Sequence, residues 1–143
     1  MRTLLRLLLP AALMLCLSGC LSIYKLPAGT PFATVIVPPG NSNWICANGP
    51  VQKLESARDG RARVPAGQRI TLGTSLVSSD GVMNYTCSAG ISLLPEAKGQ
   101  YYQDFQTEGQ RCQTLVYRVT DEPRVGLEFE PSLGYSGDGC VRR

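Results

Sequence analysis

Histidine is absent from the 143 residues of this chain. That absence removes histidine general bases, Ser-His-Asp and Cys-His nucleophile pairs, and every zinc or iron site that needs an imidazole. Charge of one sign is scarce as well. Lys plus Arg number 14 against 11 Asp plus Glu, with none of the clustered basic face that a nucleic-acid binder shows. No Cys-x-x-Cys pair occurs, which argues against a four-thiolate zinc site. No window carries the 3.6-residue period of an amphipathic helix. The one long apolar stretch, Leu7 to Leu17, falls short of the about 20 residues that a spanning helix needs.

What is present begins with an export address. Arg2 and Arg6 precede the apolar stretch, and Ser18-Gly19-Cys20 follows it, which are the three parts of a secretory signal peptide. Leu17-Ser18-Gly19-Cys20 resembles the lipobox of bacterial lipoproteins at all four positions. The resemblance implies a diacylglycerol on the Cys20 sulfur, cleavage between Gly19 and Cys20, and in many bacteria acylation of the new amino terminus. Leu21 after the lipidated cysteine, in place of the Asp that favours inner-membrane retention, points by the same resemblance to the outer membrane and its periplasmic face. Several acyl chains, each contributing about 0.8 kcal/mol per buried methylene, would hold the protein on a bilayer without spanning it. The expected organisation is a leader over 1–19, a lipidated terminus and tether over 20–31, and one folded domain over 32–143. Removing the leader takes away two arginines and no acid, so the formal charge falls from +3 to about +1.

Cys46, Cys87, Cys112 and Cys140 remain after Cys20 is assigned to lipid. In an oxidising compartment they predict two disulfides, each worth roughly 2–4 kcal/mol. Pairing of Cys46 with Cys87 and of Cys112 with Cys140 is preferred slightly over Cys46 with Cys112 and Cys87 with Cys140. The preferred set requires a crossover between two sheets, because a simple meander would leave Cys46 and Cys87 two strands apart.

Short β-branched and aromatic runs fill the rest: 32–37, 43–47, 51–54, 68–77, 82–88, 91–94, 100–106, 111–120 and 125–130. Turn formers separate them, among them Pro38-Pro39-Gly40-Asn41, Asp59-Gly60 and Asp80-Gly81. The pattern predicts an all-β fold, a small antiparallel sandwich or barrel. Asp80-Gly81 reads as a type I′ hairpin turn, and a second hairpin is expected about residue 122. Alternation leaves the inward face of 111–119 open. In the next run it turns Val125, Leu127 and Phe129 inward and Glu128 and Glu130 to water.

Catalytic chemistry is thin. Glu128 and Glu130 have the spacing of two acids on one strand face, which reads as an exposed charged face rather than a glycosidase pair. Ser136-Gly137-Asp138-Gly139 lacks the helix and lysine of a phosphate loop. No metal site or cofactor is expected. Trp44, Tyr101, Tyr102 and Tyr135 form a candidate interaction surface for a glycan or partner protein. Adjacent Tyr101 and Tyr102 must face opposite sides of a strand.

A second, smaller resemblance rests on Tyr85-Thr86-Cys87-Ser88-Ala89-Gly90, which is similar to the Tyr-x-Cys-x-x-Gly stretch of periplasmic membrane-bound lysozyme inhibitors. The later Ser-Gly-x-x-Tyr loop of that family has no match here. The sequence therefore reads as a non-enzymatic binding or envelope-assembly lipoprotein. Its partners are a bilayer through acylated Cys20 and an envelope protein or glycan, with no nucleic acid. The alternative is an inhibitor of an exogenous hydrolase such as lysozyme.

Overall fold

Alternating apolar and polar residues between Gly and Pro turns do fold as strands. A computed structural model describes residues 21–109, 111–121, 126–136 and 140, so the leader and Cys20 lie outside the described residues, as do Val125 and the Gly137-Asp138-Gly139 stretch. The strands are β1 (Phe32–Ile36), β2 (Ser42–Cys46), β3 (Gln52–Lys53), β4 (Arg61–Pro65), β5 (Ile70–Ser79), β6 (Asn84–Leu93), β7 (Gln100–Glu108), β8 (Arg111–Val119), β9 (Leu127–Phe129) and β10 (Gly134–Tyr135). Sheet I has the order β4-β1-β7-β8-β9 and sheet II the order β10-β6-β5-β2-β3. The two sheets enclose one core.

The fold is all-β, as expected, but it is not purely antiparallel. β1 runs parallel to β7, with Val35 beside Tyr101 and Ile36 beside Tyr102. β4 was not foreseen: Arg61-Ala62-Arg63-Val64-Pro65 puts arginines outward and Ala62 and Val64 inward, a true alternation that its charge disguises as loop. β6 is one continuous strand where two had been expected. At the Asp80-Gly81 hairpin the loop is four residues long, between Ser79 and Asn84. Gly81 alone takes positive φ there, while the Asp80 carboxylate accepts the Val82 and Met83 amides at 2.9 and 2.7 Å. The turn is therefore an Asp-capped loop and not type I′.

The interior has two halves. Val35, Ile45, Val64, Ile70, Leu72, Leu93, Tyr101 and Val116 fill the first and are buried. In the second, buried Gln103 of sheet I donates to Thr74 Oγ1 (2.7 Å), which donates to Asn43 Oδ1 (2.9 Å), whose amide donates to the Pro38 carbonyl (3.0 Å). Thr114 Oγ1 donates to the Ala89 carbonyl at 2.7 Å. Beyond this polar layer the Cys87–Cys112 disulfide joins the sheets, where apolar packing gives out.

Both expected pairings are corrected: the bonds are Cys46–Cys140 and Cys87–Cys112. The reason is the pleat. Ile45 and Leu72 face inward in register, so neighbouring Cys46 faces outward. Cys87 stands opposite Leu76, four residues on from Leu72, and so faces inward toward Cys112. Two cysteines on opposite faces of one sheet cannot bond.

Within the segment expected to act as a tether, residues 22–24 are held against the domain. The Lys53 amide donates to the Ser22 carbonyl and the Tyr24 amide to the Lys53 carbonyl, both at 2.8 Å. Residues 22–24 thus run along the free edge of β3 and extend sheet II.

Candidate binding face

Strand register builds one continuous row on the outer face of sheet I. Ile36 stands beside Tyr102, Tyr102 beside Tyr117, and Tyr117 beside Phe129. Neighbours directly across a pair share a face. The Tyr117 and Phe129 rings lie 4.9 Å apart between centroids at 41°, and Phe129 is 65% exposed. Val119 and Leu127 flank the row on one side. On the other, Leu115 lies opposite Asp104.

Toward the β7–β8 turn the same face becomes polar. Gln113 Nε2 donates to Gln106 Oε1 at 3.0 Å and Gln106 Nε2 to Asp104 Oδ2 at 2.8 Å. At the opposite margin Arg61 and Arg63 lie across from Ile36 and Thr34, with the Arg63 guanidinium 4.8 Å above the Phe32 ring. Such a face can stack a flat apolar surface on its rings and offer amides and a carboxylate beside them.

The four aromatics singled out from sequence are not brought together. Tyr101 is in the core, where its hydroxyl accepts the Glu96 amide at 2.9 Å and burial pushes its pKa up. Tyr102 does face the opposite way and joins the row. Trp44 is buried on the outer face of sheet II, lying over Gly73 and Gly90. Tyr135 is 94% exposed at the far edge of that sheet. Tyr117 and Phe129 were missed. Phe129 had been turned inward by its alternation with Glu128 and Glu130, and the face of 111–119 was unresolved. A hairpin centred near residue 123 would have set Tyr117 against Phe129 and revealed the pair.

That inversion also corrects Glu130, while Glu128 is exposed as expected. Glu130 is only 2% exposed. Its Oε2 accepts Arg118 Nε at 3.0 Å, and its Oε1 accepts the Ser132 amide at 3.0 Å and hydroxyl at 2.6 Å. Burial pushes its pKa up, but the Ser132 donors and Arg118 outweigh this and hold it below the usual carboxylate range. Arg118, held more basic by Glu130 and then Glu96, also reaches Glu96 at 2.9 Å. The cluster ties β8 to the segment after β9 and to the β6–β7 connection. A carboxylate kept ionised by three donors is poorly suited to donate a proton. Among the described residues no group of three or more His, Cys, Asp or Glu side chains gathers to hold a metal ion.

No family model matches the chain, and comparison with curated proteins and with solved structures finds no similar protein.

Proposed function

We propose that this protein is a lipid-anchored lipoprotein of the outer membrane, facing the periplasm, that acts as a non-enzymatic binding component of the envelope through the outer face of sheet I. The observation that carries the reading is the Ile36-Tyr102-Tyr117-Phe129 row, half-buried along its length and open at Phe129, with polar groups beside it. The lipobox supports the anchor. Because residues 22–24 extend sheet II, an acylated Cys20 would leave from that sheet, and the aromatic row on the outer face of sheet I would be turned away from the bilayer. An envelope protein or a glycan is the partner class suited to it.

The test compares full-length protein with the Tyr117→Ser/Phe129→Ser variant after crosslinking in cells and mass spectrometry of what co-purifies. Partner recovery is expected to fall at least fivefold with an unchanged Tm; equal recovery would remove the face from the function. In a lysozyme assay, micromolar full-length protein is expected to leave activity intact. Inhibition would replace the binding-component reading with that of a hydrolase inhibitor.

A further inference from the structure

Sheet II ends in β6 and β10, but β10 covers only Ile91 and Ser92 of its neighbour. β8 packs beside this edge and Thr114 Oγ1 donates to the Ala89 carbonyl, but among the described residues no strand pairs with the edge from Asn84 to Gly90. An unpaired edge is a template for another extended chain, and proteins usually blunt it with charge, proline or a covering segment.

Two other edges carry such devices. β4 has Arg61, Arg63 and Pro65, and β3 is covered by residues 22–24. The Asn84-Tyr85-Thr86-Cys87-Ser88-Ala89-Gly90 edge has neither charge nor proline. Between Ile70 and Leu94 the single charged residue is Asp80, whose carboxylate already accepts the Val82 and Met83 amides and the Tyr85 hydroxyl.

We infer that two copies of this chain pair antiparallel through these β6 edges, joining their second sheets into one. A second copy fits for two reasons. An uncharged edge meets itself without like-charge repulsion, and antiparallel pairing of one strand with its twin makes a closed two-fold contact. Register supplies the second reason. Pairing centred on Cys87 sets Thr86 beside Ser88 of the second copy and Asn84 beside Gly90. The β5–β6 loop of each copy then ends against β10 of the other. Val82 at 91% and Tyr135 at 94% are the most exposed large apolar side chains described. The pairing brings them together, with Met83, at both ends of the interface. This contact uses neither the aromatic row nor the lipid anchor, so it stands apart from the function proposed above. In an anchored protein the two Cys20 ends would lie at opposite ends of the joined sheet.

The test places p-benzoylphenylalanine at Thr86 in full-length protein in cells that also make a differently tagged copy. Ultraviolet light is expected to give a band of twice the mass carrying both tags, and the same group at Arg63 to give none. With the photoreactive group moved to Asn84, Thr86→Lys/Ser88→Lys should reduce the band at least tenfold. Co-expression of a Thr86→Lys/Ser88→Lys copy with a Thr86→Glu/Ser88→Glu copy should restore it. No band, a crosslink only to another protein, or a band indifferent to the added lysines would overturn the inference.

Discussion

Trp44 is the single tryptophan of the chain, and two glycines make room for it. A Cβ at Gly73 would land within the indole, so Gly73→Ala must displace the ring from its bed. Overpacking of this kind costs about 2 kcal/mol. The variant is expected to melt earlier and its indole emission to shift red; unchanged emission would mean that the ring does not rest there. Glu130 gives a pH-dependent counterpart. Its folded pKa lies below the ordinary value of about 4.3, so the stabilisation is complete at neutral pH and fades as pH falls through that lowered value. Glu130→Gln should cost about 2 kcal/mol at pH 7 and flatten the acid limb of a Tm-against-pH curve, whereas parallel curves would remove Glu130 from the acid response. Neither feature was legible in the sequence. Gly73 and Gly90 sit in strands whose register is needed before they meet Trp44. Glu130 looks like a surface acid until Arg118 is found facing the same interior.

At the scale of elements, β-branched runs and turn residues located most strands, because period-2 burial writes itself into composition. β4 escaped because alternation with arginine resembles a loop. The parallel contact of β1 with β7 joins residues more than sixty positions apart, and nothing local announces it. Cysteine pairing failed for a related reason: it depends on which face of the pleat each sulfur takes. Cys87–Cys112 closes the polar half of the sandwich, so the Cys87→Ala/Cys112→Ala variant should lose about 3 kcal/mol. Amide exchange should quicken in Leu76–Cys87 and Thr107–Thr114 well before it does around Val35, Ile45 and Leu72. Uniform loss of protection would place the disulfide in a single cooperative core instead.

For the molecule as a whole, the first twenty residues carry the proposed location and the remainder carries the fold. The lipobox reading has its own test: Cys20→Ala should abolish lipid labelling, and unchanged labelling would end the anchor proposal. The binding face was only partly legible, since Tyr102 could be chosen from sequence but Tyr117 and Phe129 needed sheet register. The proposed anchor at Cys20 and the aromatic row on the outer face of sheet I would together give a protein held on one side and open on the other. The most direct measurement is photo-crosslinking in intact cells from p-benzoylphenylalanine at Phe129. A product joining this chain to an envelope protein or glycan, lost when Tyr117→Ser is added, is the expected result. The absence of any product at Phe129, or one that persists unchanged with Tyr117→Ser, would contradict a binding role for this face.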